Sequence, residues 1–216
     1  DAGKKVVFVN FWGWGMGFVP ESQSCEAILQ AWYPGQAGGT AIANVLFGQY
    51  NPSGKLPVTF YKNVEQIPDF ESYSMKGRTY RFMTEKPLFP FGFGLSYTTF
   101  KVGEAKVFNA EAEPGENVEL SVPVTNAGKT DGTETIQVYV RKTGDTDGPL
   151  KTLKAFQRIA VAAGKTEKAE IILPYNSFEF FNRESGKMAV IPGEYEIFYG
   201  TSSDDKDLKK AKVVLQ

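Results

Sequence analysis

Four consecutive residues, Val6-Val7-Phe8-Val9, constrain this chain more than any other stretch. They are β-branched and aromatic with no polar alternation. That is the signature of a strand covered on both faces, usually in a parallel sheet. Parallel neighbours need crossover connections, and the residues that follow supply few. A second short strand fits Ala27–Trp32, and Pro34-Gly35 marks a turn. A helix is expected over Thr40–Phe47, with Ile42, Val45 and Leu46 on one side and Gly48 placed to end it. Asn51-Pro52-Ser53-Gly54 fits a type I turn. Leu56-Pro57-Val58-Thr59-Phe60 reads as a strand near a sheet edge, because Pro57 cannot donate to a ladder. Such an inventory leaves apolar faces uncovered. The expectation is that residues 1–62 are the trailing end of a larger sheet domain that begins outside this chain.

Composition narrows the chemistry. With 24 Lys and Arg against 25 Asp and Glu, nothing steers the chain toward nucleic acid or an anionic membrane. The absence of His removes Ser-His-Asp and Cys-His nucleophile systems and most zinc and haem sites. A lone Cys25 cannot close an internal disulfide. The apolar run near the start is broken by Asn10, Gly13, Gly15 and Gly17, so it is too short to span a bilayer. No cofactor, metal, nucleic-acid partner or membrane span is expected.

The character of the sequence changes near residue 97. Residues 63–97 are irregular, with Arg78 and Arg81 set among aromatics in Gly77–Phe82, and with Pro87–Leu95 apolar but rich in turn residues. This segment is expected to pack along a domain surface as a connector, because leaving it in water would be costly. Residues 98–216 read as all-β. Val118, Leu120, Val122 and Val124 alternate with polar or turn residues, and Asn126-Ala127-Gly128 and Asp131-Gly132 suggest turns to a partner strand at Ile136–Val140. Further strands fit Phe156–Val161, Ala169–Leu173, Lys187–Val190, Tyr195–Tyr199 and Ala211–Leu215. Short strands at this spacing predict a two-sheet sandwich of immunoglobulin or fibronectin-III type.

Several ordered stretches resemble one family. Ala27–Gly39, Ala41–Gly48 and Asn51–Phe60 resemble the C-terminal α/β domain of glycoside hydrolase family 3. Gly77–Phe82 and Pro87–Thr98 resemble its connector. Val138–Arg141, Leu153–Phe156 and Pro192–Tyr195 fall in the order of its fibronectin-III-like domain. The resemblance implies an α/β piece at 1–62, a connector at 63–97 and a β-sandwich at 98–216. It further implies a retaining β-glycosidase, of β-glucosidase or β-xylosidase type, acting on terminal β-linked sugars of oligosaccharides or glycosides. An Asp of an N-terminal (β/α)8 barrel would be the nucleophile and a Glu upstream of Val6 the acid/base. Neither has a counterpart in this sequence, and Glu21 and Glu26 do not sit at the matching position. The chain by itself is therefore expected to be structural, to pack on the barrel and to carry no catalytic residue. A periplasmic or extracellular location is expected from the resemblance. The competing reading is a non-catalytic module that binds carbohydrate or protein through exposed aromatics.

Three residues are candidates for substrate contact. Trp12 and Trp14 follow the first strand, and open α/β sheets bind ligands beyond the carboxyl ends of their strands. Packing against the barrel or connector is the weightier reading for both. Arg78 could reach a sugar hydroxyl or a carboxylate, though holding the connector to a surface is the commoner use of such an arginine. Gly35-Gln36-Ala37-Gly38-Gly39 lacks the Lys-Ser/Thr of a phosphate loop and more simply permits tight packing at a helix start.

Overall fold

The structure is a computed structural model and describes residues 3–216. It opens with two short parallel strands, β1 (Val7–Asn10) and β2 (Ala27–Gln30), paired from Val7 with Ala27 to Asn10 with Gln30. The connection between them includes helix α1 (Val19–Ser24), started by Pro20 in its first turn. The second strand stops two residues earlier than expected, because Trp32 takes a left-handed backbone (φ 54°) that ends extended pairing. Helix α2 (Gly38–Leu46) follows. Gly48 (φ 73°) ends that turn, as expected for a left-handed cap.

Two expectations for residues 51–60 fail. Residues 51–56 run without a turn, because the Asn51 side chain is spent on other chain segments: its Nδ2 donates to the Asp131 carbonyl, and its Oδ1 accepts from Ser96 Oγ and the Tyr97 amide. Residues 56–60 do not form a regular strand either. They pair loosely with the connector, the Leu56 amide to Phe93 and the Phe60 amide to Phe89, leaving one isolated bridge at Phe60–Phe89. Prolines 57, 87 and 90 remove donors on both sides, so no continuous ladder can form.

The connector includes a single turn of helix, α3 (Thr79–Phe82), and lies against the sandwich. The sandwich is built from β3 (Phe100–Val102), β4 (Lys106–Phe108), β5 (Glu111–Ala112), β6 (Val118–Asn126), β7 (Gly132–Lys142), β8 (Thr152–Val161), β9 (Thr166–Leu173), β12 (Gly193–Gly200) and β13 (Leu208–Leu215). A separate hairpin joins β10 (Glu179–Asn182) to β11 (Lys187–Val190). One sheet runs β5-β13-β12-β7-β8. In the other, β6 pairs with β9 on one side and with β3 and β4 on the other. The expected hairpin between 118–124 and 136–140 is therefore wrong: β6 and β7 lie in opposite sheets, and residues 127–131 cross between them. Both strands bury one alternating apolar face, and that pattern suits facing sheets as well as neighbouring strands.

Pro123 explains why one edge of the second sheet is split. A strand residue's N–H and C=O point to the same side. The Pro123 carbonyl accepts from Gly103 in the gap between β3 and β4, so its missing N–H faces the interruption. A side chain at Gly103 would also meet the Pro123 ring at 2.7 Å.

The core lies between the sheets. Val118, Leu120, Val122 and Val124 of β6 meet Ile136, Val138 and Val140 of β7, Tyr195, Ile197 and Tyr199 of β12, and Val213 and Leu215 of β13. Each such aliphatic side chain contributes about 1.5–3 kcal/mol by leaving water. Strand β7 is buried on its other face too, because the connector covers it as expected. Tyr80 stacks on Phe91 at 4.4 Å and meets the Tyr139 ring edge-on. Gln137 donates to the carbonyls of Gly92 and Thr201 and accepts from the Tyr139 hydroxyl. Burial, then the nearby Tyr80, pushes the Tyr139 phenol up, so it stays a donor at any physiological pH.

Candidate functional site

The carboxyl ends of β1 and β2 form an exposed apolar edge of the first region. Gln30, the last residue of β2, ties it together. Its Oε1 accepts from Asn10 Nδ2 at 2.7 Å, and its Nε2 donates to the Trp12 carbonyl at 2.7 Å. The loop that follows β1 is then pressed onto residues 58–63 by glycines. A side chain at Gly17 would lie 2.6 Å from the Lys62 carbonyl, and one at Gly13 would meet the Tyr33 ring at 2.4 Å. Phe18 turns inward and is buried among Phe8, Phe60 and Phe89. Trp12, Trp14, Met16 and Tyr33 remain on the outside, with Trp14 72% exposed. Val6 and Val7 are also exposed, although their sequence reads as covered on both faces; among the described residues β1 has β2 as its one partner.

Arg78 sits elsewhere, at the foot of the 68–76 loop. Its Nε donates to the Ser74 carbonyl, and its Nη2 lies within hydrogen-bonding reach of the carbonyls of Pro68, Asp69 and Ser72. The guanidinium is thus a clamp on a loop. Its Nη1 makes no hydrogen bond among the described residues. The two regions share an anchor. The Tyr61 hydroxyl accepts from the Thr79 amide, and Thr59 Oγ1 accepts from the Tyr80 amide, while Gly15 and Gly17 pack on the Thr59 and Lys62 carbonyls.

Where the first region meets the sandwich, one contact has no sign in the sequence. Lys55 and Glu134 form an ion pair at 2.7 Å with both side chains largely buried. Neither residue stands out among the chain's charges, and only the approach of residues 51–57 to β7 makes them partners. A cleft of about 520 Å³ opens beside them, lined in part by Tyr50, Phe91, Phe156 and Arg158. A second, of about 470 Å³, lies between connector and sandwich, lined in part by Tyr80, Arg141, Lys151 and Asp205. Among the described residues no three of Cys, Asp and Glu converge in a manner that could hold a metal ion. No described helix is long and apolar enough to cross a membrane.

An α/β piece strapped by an aromatic connector to a two-sheet sandwich matches known proteins along its length. Residues 1–97 match the glycosyl hydrolase family 3 C-terminal domain, and residues 134–203 match the fibronectin type III-like domain. A xylan 1,4-beta-xylosidase of Xylanibacter ruminicola is 58% identical over 99% of this chain and 24% of its own length. A periplasmic beta-glucosidase of Salmonella typhimurium is 38% identical over 93% of this chain and 28% of its own. Among solved structures, a β-glucosidase from Erythrobacter marinus superposes with TM-score 0.84 at 36% identity, covering 97% of this chain and 28% of its own. One from Listeria innocua, solved with isofagomine, gives 0.83 at 31% identity, covering 99% of this chain and 31% of its own. The chain belongs to glycoside hydrolase family 3. It spans about a quarter of the length of the curated relatives named above.

Proposed function

We propose that this chain is the non-catalytic C-terminal portion of a retaining β-glycosidase that removes terminal β-linked xylose or glucose. The observation that carries this reading is the 58% identity to the Xylanibacter xylosidase over nearly the whole chain. Retaining hydrolysis needs one carboxyl group as nucleophile and a second to protonate the leaving oxygen. On this reading both belong to parts of the family fold other than these residues, the nucleophile to a (β/α)8 barrel. Residues 1–62 complete the α/β domain, 63–97 connect and 98–216 form the sandwich.

The exposed edge at Trp12, Trp14 and Tyr33 then packs on the barrel and borders the sugar pocket. Aromatic faces suit the C–H surfaces of a pyranose. Arg78 holds the 68–76 loop and keeps one guanidinium edge, Nη1, for a sugar hydroxyl. The enzyme works in the periplasm or outside the cell, a placement supported by the name of the Salmonella relative. Aryl β-xyloside and aryl β-glucoside assays on the full-length protein test the reading. Hydrolysis of at least one is expected, with Trp14→Ala raising KM about tenfold. Turnover of neither aryl glycoside overturns it.

A further inference from the structure

The loop between Pro68 and Lys76 carries the two most exposed large apolar side chains among the described residues, Phe70 at 99% and Tyr73 at 100%. Chain this exposed is usually free to move, yet this segment is fastened along its length. Arg78 reaches four of its carbonyls from beneath. Asp69 Oδ1 accepts from the Glu71 amide, Ser72 Oγ from the Ser74 amide and Ser74 Oγ from the Lys76 amide. The far end is closed by Gly77 (φ 77°), and the Thr79 amide is fixed by the Tyr61 hydroxyl. Two bare rings are therefore held ready rather than left loose, which lowers the entropic cost of whatever they receive.

We propose that this loop is a leaving-group subsite: Phe70 and Tyr73 stack on successive pyranose units of a β-linked oligosaccharide whose terminal sugar lies in the catalytic pocket. The proposal rests on the glycosidase reading above. Two observations favour a sugar chain over a protein partner. The rings alternate with the exposed carboxylates of Asp69 and Glu71, whereas the cores of protein interfaces are depleted of charge. A pyranose presents an apolar C–H face and a rim of hydroxyl donors, which matches rings set beside acceptors. The loop also shares its anchor, residues 59–61, with the Trp12–Trp14 loop, so the two aromatic groups are fixed to one support.

The test uses the full-length protein and the ratio of kcat/KM for xylotetraose to that for xylobiose, repeated with the cello-oligosaccharides. Phe70→Ala and Tyr73→Ala should each lower that ratio about tenfold, the order expected for losing one apolar contact to substrate. Arg78→Lys, which keeps the charge and loses the fork, should lower it in the same sense with the melting temperature unchanged. Phe47→Ala, which removes a different exposed ring, should leave it as it was. A ratio that stays constant in the Phe70 and Tyr73 variants of an active enzyme overturns the subsite alone. So does equal loss on short and long substrates. An enzyme that hydrolyses none of these sugars overturns both the subsite and the glycosidase reading.

Discussion

In the sandwich, Val118, Leu120, Ile136 and Ile197 are closed off from water between two sheets, while at the parallel pair and in the loop after β1, Val6, Val7, Trp12 and Trp14 face outward. The side chains are of the same kind, and the difference is one of partners. Each sandwich strand finds an opposing sheet; β1 finds one neighbour of four residues. Independent stability therefore resides in the sandwich. The first region holds its shape through the Phe8–Phe18–Phe60–Phe89 cluster and through its fastening to β7.

The largest expected effect tests that fastening. Lys55→Met leaves the Glu134 carboxylate buried without its cation and should cost about 3–5 kcal/mol in urea unfolding. Adding Glu134→Gln should recover much of that loss; no recovery would mean the pair does not link the regions. Leu120→Ala, deep in the sandwich, should cost about 2–5 kcal/mol by transfer and cavity terms together. Val7→Ala sharpens the contrast. In this chain it should cost about 0.5 kcal/mol, because the side chain is already wet. In the full-length protein, with the sheet completed, the cost should approach about 2 kcal/mol. Equal small costs in both settings would mean the edge stays bare.

The smallest effect is one of pH. Hydrogen bonds from Lys209 and then Tyr199 hold the Glu104 carboxyl below the ordinary carboxylate range. A group whose folded pKa is depressed stabilises above its unfolded value, and loses that contribution as pH falls through the folded one. Acid unfolding of the sandwich should thus shift slightly to higher pH in Lys209→Met, read by circular dichroism between pH 5 and 2. The exposed position of the pair keeps the effect small.

The sandwich was legible because its strands alternate: Val118–Val124 and Ile136–Val140 announce buried faces, though not which strands neighbour each other. Pairing depends on contacts remote in sequence, so the 127–131 crossing read as a hairpin. Short edge strands such as 100–102 and 106–108 leave no pattern in the sequence, since three residues carry no period. Leu56–Phe60 looked like a strand by composition, and its prolines decided otherwise. The Trp12–Trp14 loop could be placed because it follows a recognisable strand. The Arg78 clamp could not be foreseen in detail, because its partners are backbone carbonyls that no side-chain pattern reveals. Phe70 and Tyr73 carry no sequence signal for a related reason: exposure of a ring is a property of the fold, not of the ring.

Hydrolysis of aryl β-xyloside and aryl β-glucoside by the isolated 216-residue chain tests most directly whether these residues support a site rather than perform the chemistry. No turnover above the uncatalysed rate is expected while the sandwich remains folded. Turnover that disappears on Glu21→Gln or Glu26→Gln would contradict it, because a reacting carboxylate would then lie within the chain.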